Sequence, residues 1–227
     1  MFKPTTCQDY WPVPKPSSGI YKVYDSNGNA FQVFCDFDSE KGIAWTLITS
    51  CRRDQTPVSF LQTFSGANIN DVGSEWANYH LSKAAMSFVS QRSTHWRVTC
   101  EYNTLGVDYV DYIRSKINET SLLTYTQTGL SSADRCRKVE YANVRGRQCE
   151  HCTVAIHQYV QYGMHISHWA GSIWGCDLKT NDFAEGCVSE MNEHYFGYFK
   201  ATNCVTGHHR CAATSDSTTQ FWFGGKP

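Results

Sequence analysis

Apolar and polar residues alternate in two short segments near the start of the chain. Residues 20–24 and 31–35 are rich in aromatic and β-branched side chains, which favour strands. Asn27 and Gly28 lie between the two segments, and both residue types tolerate the positive φ angles of a tight hairpin turn. The pattern predicts a β-hairpin, followed by a third strand over residues 43–48.

A helical spacing of apolar residues follows between Leu81 and Val89. Ser82 precedes most of this run, and a serine at such a position accepts a hydrogen bond from a backbone N–H of the first turn. The spacing therefore predicts a short helix over residues 82–89.

A second alternating pattern covers residues 96–102. Its apolar set is Trp96, Val98, Cys100 and Tyr102, and its polar set is Arg97, Thr99 and Glu101. After a turn, residues 107–113 return as another strand. The alternation predicts an antiparallel hairpin with one buried face and one solvated face. The aromatic stretch at residues 221–225 is predicted to re-enter the sheet.

The composition allows a substantial core and excludes some partners. The chain has 227 residues, of which 41% are hydrophobic and 18% are charged, with a formal net charge of −1. This balance gives no reason to expect a nucleic acid as partner. No apolar run reaches the 18 residues of a membrane span. One large domain over residues 1–227 is expected, because no linker or internal repeat interrupts the sequence.

The cysteines indicate an oxidising compartment. Eleven of them are spread along the whole chain, which is typical of secreted, disulfide-bonded proteins. An odd number leaves one thiol over, so a homo-oligomer joined through that cysteine is an open possibility. The sequon Asn118-Glu119-Thr120 predicts a glycoprotein. Residues 1–4 contain no signal-peptide core, so a mature form or a fragment is expected.

The order of these elements resembles the fibrinogen-related domain found in fibrinogen C-termini, ficolins and tenascins. The resemblance covers residues 7–116, is weak over residues 117–160, and returns at residues 163–167 and around Cys187 and Cys204. It implies an α+β fold with a mixed, twisted antiparallel sheet and short helices. The C-terminal part, residues 161–227, would then be a loop-rich ligand-binding subdomain.

The resemblance implies two disulfides, Cys7–Cys35 and Cys187–Cys204, although other pairings are open because spacing alone does not fix connectivity. A third pairing across the sheet, Cys51–Cys100, is also considered.

Calcium is the cofactor that the resemblance implies, and it would be held by an oxygen cage. Lys179 and Asn181 occupy the positions of the two aspartates expected in that family. A rearranged site would use Asp177, Asp182 and Glu185. The alternative is that these carboxylates are ordinary solvated loop charges, and with Lys179 in place we expect no calcium-dependent rise in the melting temperature.

The resemblance also implies a ligand site beside the second disulfide. Its residues would be His194, Tyr195, Phe196, Tyr198 and Asn203. The expected function is a secreted, lectin-like recognition module that binds a glycan or an extracellular protein and is not an enzyme. Two alternatives stay open: these aromatic residues fill the core, or the protein is a structural subunit of a matrix or fibre.

Two Cys/His clusters invite a zinc interpretation. Cys149 and Cys152 form a C-x-x-C pair, and His208, His209 and Cys211 lie close together in sequence. Zinc takes four Cys or His ligands in a tetrahedron, but oxidised cysteines cannot act as ligands. In a secreted chain we expect these cysteines to form disulfides.

Overall fold

The computed structural model describes residues 3–11, 16–55, 76–123, 136–159, 163–167, 175–179, 193–196 and 209–226. Within these ranges the chain forms an eleven-stranded antiparallel sheet. The strands are β1 (Gly19–Tyr24), β2 (Ala30–Asp36), β3 (Ala44–Arg52), β4 (Asn78–His80), β5 (His95–Cys100), β6 (Tyr112–Lys116), β7 (Cys136–Val144), β8 (Arg147–Tyr159), β9 (Gly163–Ser167), β10 (Glu193–Tyr195) and β11 (Thr218–Gly225). The described α-helices are α1 (Lys83–Ser90) and α2 (Tyr102–Leu105).

The last strand lies in the middle of the sheet. The strand order is β1-β2-β3-β11-β5-β6-β7-β8-β9-β10, and β4 pairs with β3. All eight residues of β11 are buried, which suits a strand that carries Phe221, Trp222 and Phe223 and has neighbours on both edges. The prediction that the aromatic C-terminal stretch re-enters the sheet is confirmed.

The predicted α+β class is wrong, because the protein is a β-rich fold. Helix α1 has eight residues and α2 has four, which is too short for either to form a helical layer over the sheet. Strands from all three predicted parts of the chain belong to the sheet: residues 1–116 supply β1–β6, residues 117–160 supply β7 and β8, and residues 161–227 supply β9–β11. The C-terminal part therefore contributes a central strand.

The first hairpin forms over the predicted residues, and residues 25–29 form its turn. The strands β1 and β2 pair from Gly19 with Cys35 to Tyr24 with Ala30. The carboxylate of Asp25 accepts hydrogen bonds from the backbone N–H groups of two residues of the loop, each at 2.8 Å. Gly28 has a φ of 82°, so the left-handed conformation is confined to the glycine of the Asn-Gly pair.

Helix α1 confirms the helical pattern. Its N-cap is Ser82, whose hydroxyl oxygen accepts a hydrogen bond from the backbone N–H of Ala85 at 3.2 Å. Ala85, Met86 and Val89 form the buried face of the helix. These residues belong to the hydrophobic core, together with apolar residues of the central strands.

The second hairpin differs from its prediction in burial and length. Strand β5 was expected to have one solvated face, but Arg97 and Thr99 are buried as fully as Trp96 and Val98. The returning strand β6 begins at Tyr112, so residues 106–111 form a loop where a strand was predicted. The alternation in the sequence therefore identified strand β5, but it gave no sign that other residues cover the face that carries Arg97 and Thr99.

Four disulfides stabilise the described part of the chain. Cys7–Cys35, the pair that the resemblance implied, fixes the N-terminal segment to β2. Cys149–Cys152 joins two residues of β8. The other two pairs are Cys100–Cys211 and Cys136–Cys176, which cross much longer stretches of sequence.

The predicted Cys51–Cys100 pair is wrong, because Cys100 is bonded to Cys211. Strand β11 lies between the two cysteines, and its Thr219 pairs with Cys51 on one side and with Cys100 on the other. Neighbouring strands are about 4.8 Å apart, so the two Cα atoms are separated by about 10 Å. A disulfide needs Cα atoms within about 7 Å.

Acidification is expected to destabilise the fold through His80. This residue ends β4, is 2% exposed, and burial lowers its pKa to about 4. The unfolded chain binds a proton on this imidazole near pH 6.5, whereas the folded chain binds it only near pH 4. Stability is therefore lost as the pH falls through this window, by about 3 kcal/mol once the pH is well below 4.

The measurement is urea unfolding at pH 7 and pH 4.5 for the wild type and for His80→Gln. We expect a smaller loss of stability on acidification in the variant, because glutamine does not titrate. Equal losses in the two proteins would show that His80 makes no contribution to the pH dependence.

Candidate functional site

Two of the five ligand-binding residues implied by the resemblance, Tyr198 and Asn203, lie outside the described residues. The same holds for Cys187 and Cys204 of the implied second disulfide and for Asp182 and Glu185 of the implied calcium site. His194 and Tyr195 belong to β10, where their backbones pair with Ile166 and His165 of β9. A ligand site at these positions stays a prediction.

Phe196 is a core residue, which favours the alternative that these aromatic residues fill the core. Its side chain is 4% exposed and belongs to the hydrophobic core. The ring makes an edge contact with the imidazole of His209, with centroids 5.4 Å apart. Burial lowers the pKa of His209, which favours a neutral imidazole against this ring.

Asp177, the described member of the predicted calcium site, is occupied by protein contacts. Its carboxylate accepts hydrogen bonds from the backbone N–H and from the hydroxyl of Thr153, both at 2.8 Å, and these bonds lower its pKa. The ammonium of Lys179 donates to the carbonyl of Cys176 at 2.8 Å. Asp177 therefore fixes residues 175–179 to β8, and the calcium interpretation depends on Asp182 and Glu185.

The zinc interpretation fails at both described cysteine clusters. Cys149 is bonded to Cys152, so this C-x-x-C pair offers no thiolate. Ligand atoms of Cys100, His209 and Cys211 lie within 4.8 Å of one another, but Cys100 and Cys211 are joined as a disulfide. Zinc takes its sulfur ligands as thiolates.

Asn118, the predicted glycosylation site, is exposed in the turn after β6. Thr120 of the sequon is buried, and its hydroxyl donates to the carbonyl of Lys138 at 2.7 Å. The asparagine is therefore accessible to solvent, while the threonine anchors the turn. Glycosylation itself stays a prediction.

A buried guanidinium lies at the centre of the sheet. Arg97 is 0% exposed and forms ion pairs with Asp36 at 2.5 Å and with Glu40 at 2.9 Å. Burial would raise the pKa of Asp36, but the charge and the hydrogen bond of Arg97 hold it below its usual value. Asp36 and Arg97 are therefore both charged in the folded protein.

Aromatic rings cover this guanidinium. Its central carbon lies 4.5 Å from the ring centroid of Trp45 and 4.6 Å from that of Trp222. Tyr102 lies at 5.7 Å. A cation over an aromatic face is attracted by the ring quadrupole, most strongly when water is excluded. Arg97 therefore connects strands β3, β5 and β11 through charge and ring contacts.

The charged network continues from Glu40 towards the surface. The hydroxyl of Tyr112 donates to Glu40 at 2.5 Å, and Arg114 pairs with the second carboxylate oxygen at 2.5 Å. Arg114 also pairs with Glu140 at 3.1 Å, and Glu140 lies 3.8 Å from the ammonium of Lys116. Charges of alternating sign thus lead from Arg97, which is fully buried, to Lys116, whose side chain is 46% exposed.

The loop between β5 and β6 exposes apolar side chains. Leu105 is 55% exposed, Tyr109 is 38% exposed, and Val110 is 37% exposed. Tyr109 has a φ of 60°, a conformation that bulky residues seldom adopt and that costs of order 1–3 kcal/mol. We call Leu105, Tyr109 and Val110 the Tyr109 surface.

Two aspartates hold this loop in place. The carboxylate of Asp111 accepts hydrogen bonds from the backbone N–H groups of Arg145 at 2.7 Å and Arg210 at 2.6 Å. Asp108 forms an ion pair with the guanidinium of Arg210. Arg210 precedes Cys211, which is bonded to Cys100 at the end of β5. The loop is therefore fixed at both of its ends.

Ring contacts join the Tyr109 surface to the charged network. The ring centroid of Tyr109 lies 5.1 Å from that of Tyr112 and 5.7 Å from that of Tyr141. Tyr112 in turn donates to Glu40, the carboxylate shared with Arg97. The exposed tyrosine therefore stands on a rigid, buried support.

Sequence reasoning missed both features. Arg97 alternates with apolar residues, a pattern that indicates a solvated face, and its acidic partners are about 60 residues away in sequence. The segment around Tyr109 was assigned to a strand. A signal was available in Gly106 and Asp108, because both residue types are common in loops.

No protein-family model matches this sequence, and no curated protein matches it. The likeness to the fibrinogen-related domain therefore stays a proposal that depends on the motifs quoted above. The features of the described residues that bear on function are the disulfides, the charged network and the Tyr109 surface.

Proposed function

We propose that the protein is a secreted, disulfide-bonded recognition module that binds an extracellular protein through the Tyr109 surface. The proposal is for a binding protein and not for an enzyme. The resemblance to the fibrinogen-related domain supports the same class of function.

The disulfides support an extracellular location. Eight cysteines form four disulfides, and such bonds persist in oxidising compartments. Within the described ranges, no helix is long and apolar enough to cross a membrane. The exposed position of Asn118 suits a glycosylated surface.

A single observation carries the proposal: Tyr109 is held, partly exposed, in a left-handed backbone conformation. Strain of this kind persists only where surrounding contacts enforce it, and it is concentrated at functional sites. Here Asp111 and the ring contacts to Tyr112 and Tyr141 supply those contacts. A rigid tyrosine loses little conformational entropy on binding, which makes it an effective interface anchor.

The neighbouring residues favour a protein partner over a glycan. Leu105 and Val110, from the same segment between β5 and β6, also expose aliphatic area. Such area gains free energy when another apolar surface covers it, whereas sugars offer mainly hydroxyl groups. The charged residues Asp108 and Arg210 lie beside the loop, as polar groups do at an interface rim.

The alternative is a matrix or fibre subunit cross-linked through the odd cysteine. Eight of the described cysteines are in disulfides, and Cys51 is 3% exposed, so none of these nine described residues offers an accessible thiol to another chain. A non-reducing gel would show a disulfide-linked oligomer if the matrix interpretation held.

Replacing Tyr109 with alanine is expected to weaken binding at least tenfold with little change in melting temperature. Truncating a central aromatic anchor typically costs 2 kcal/mol or more of binding free energy. The measurement is screening of an array of extracellular protein domains, with surface plasmon resonance for each positive. Ile20→Ala is the matched control, because Ile20 is 45% exposed on β1, away from the loop.

A glycan array run in parallel separates the two ligand classes. Binding to glycans alone, or protein binding that Tyr109→Ala leaves unchanged while Ile20→Ala weakens it, would contradict the proposed surface.

A further inference from the structure

A pocket separate from the Tyr109 surface lies against strands β5, β7, β8 and β9. Its volume is about 270 Å³. The apolar part of its wall consists of Trp96, Ile117, Leu122, Ile156 and Met164. The polar part consists of Asn118, Glu119, Thr120, Ser121 and Arg137. Half of the lining residues are thus apolar and half polar, and small-molecule sites likewise combine apolar walls with placed polar groups.

The pocket wall is held by a buried hydrogen bond. The indole N–H of Trp96 donates to the carbonyl of Thr120 at 2.6 Å. The hydroxyl of Thr120 donates to the carbonyl of Lys138 on β7. These bonds fix the 117–122 turn against the sheet, so the cavity is formed before any ligand enters. They also use the donors of Trp96 and Thr120, which leaves ligand recognition to other groups.

Arg137 is the cationic residue of the pocket wall. It is half-buried and forms no ion pair with any residue that the structure describes. The two arginines of the central network, by contrast, each pair with two carboxylates. A guanidinium in a partly desolvated wall is stabilised by an anion that accepts two parallel hydrogen bonds. Glu119 also lines the pocket, but its side chain is exposed and its charge is screened by solvent.

The volume limits the size of the ligand. A dry protein cavity of about 150 Å³ holds a benzene molecule. A pocket of 270 Å³ therefore has room for an apolar group of about ring size with a short polar extension. A flat or branched apolar body would contact Trp96, Ile156 and Met164, and a carboxylate would reach Arg137.

We propose that this pocket binds a small amphipathic carboxylate, with the apolar body against Trp96 and the carboxylate on Arg137. The site is independent of the protein partner proposed above, because it involves none of the residues of the Tyr109 surface. A soluble organic acid and the acid group of a larger molecule share this chemistry.

The test uses 3-phenylpropionate as the probe and 3-phenylpropanol as its neutral counterpart. Binding is followed by nuclear magnetic resonance, with the indole N–H signal of Trp96 as the reporter inside the pocket. The signal is assigned with Trp96→Phe. We expect the acid to shift this signal in a saturable way and to bind at least tenfold more tightly than the alcohol. The difference corresponds to the charge-assisted hydrogen bond that the alcohol cannot form.

Arg137→Met should abolish the preference for the acid, because methionine keeps an apolar stem without a charge. Lys138→Met is the matched control: it removes one positive charge from the next, exposed residue of β7 and should leave the preference unchanged. Equal binding of acid and alcohol to the wild type, or no shift of the Trp96 signal with either probe, would overturn the proposal. An equal loss in Lys138→Met would also overturn it, by showing a general effect of charge.

Discussion

Arg97→Met is expected to lower the free energy of unfolding by about 3–5 kcal/mol. Removing the guanidinium leaves the carboxylate of Asp36 buried without its counter-charge, and Glu40 then pairs with Arg114 alone. It also removes the cation from between Trp45 and Trp222. Methionine fills part of the space, so the loss is mainly electrostatic. The measurement is urea unfolding followed by tryptophan fluorescence and circular dichroism.

Two further variants test this explanation. Arg52→Met removes an arginine whose side chain is 31% exposed and pairs with Asp54. No measurable change in melting temperature is expected, because ion pairs that are open to solvent contribute little. Adding Asp36→Asn and Glu40→Gln to Arg97→Met should restore part of the stability, since the buried negative charges are then gone. If Arg97→Met were as stable as Arg52→Met, the network would not be a determinant of stability.

Replacing Cys100 and Cys211 together with alanine is expected to cost about 5 kcal/mol. This disulfide spans 111 residues, and in the chain-entropy model the stabilisation grows with the loop that the bond closes. It also supports Arg210, which holds the Tyr109 loop through Asp108 and Asp111. We therefore expect both lower stability and faster proteolysis of the loop between β5 and β6.

The Cys149–Cys152 pair offers the matched control. It spans three residues, so its replacement by alanines should cost only about 2 kcal/mol in the same model. The comparison requires urea unfolding and limited proteolysis of the two double variants. Equal losses in the two variants would contradict an account based on loop closure, and an intact loop after loss of Cys100–Cys211 would show that Asp111 is a sufficient anchor.

Features determined by neighbouring residues were predicted from the sequence. The β1–β2 hairpin follows from two strand-forming segments and a turn around Gly28. Helix α1 follows from the apolar spacing and from the cap at Ser82. In each case the interacting groups lie within a few residues of one another, so the pattern in the sequence contains the information that the structure needs.

The candidate sites were not predictable in the same way. The Tyr109 surface depends on Asp111 meeting the backbone of Arg145 and Arg210, which lie 34 and 99 residues further along the chain. The pocket around Arg137 depends on residues from several strands and a turn. Spacing along the chain carries no signal for contacts at such separations. The resemblance did not supply this information either, since the α+β fold class that it implied was wrong.

The sequence by itself determined the first hairpin, where one helix is capped, and that the chain is cysteine-rich. The tertiary structure decided which strands are neighbours, and β11 is the clearest case. Its insertion between β3 and β5 separates Cys51 from Cys100 and brings Trp222 over Arg97. Alternation in a sequence identifies the two faces of a strand. What covers each face is decided only when distant segments pack together. For this reason Arg97, which the alternation placed in solvent, lies at the centre of the protein.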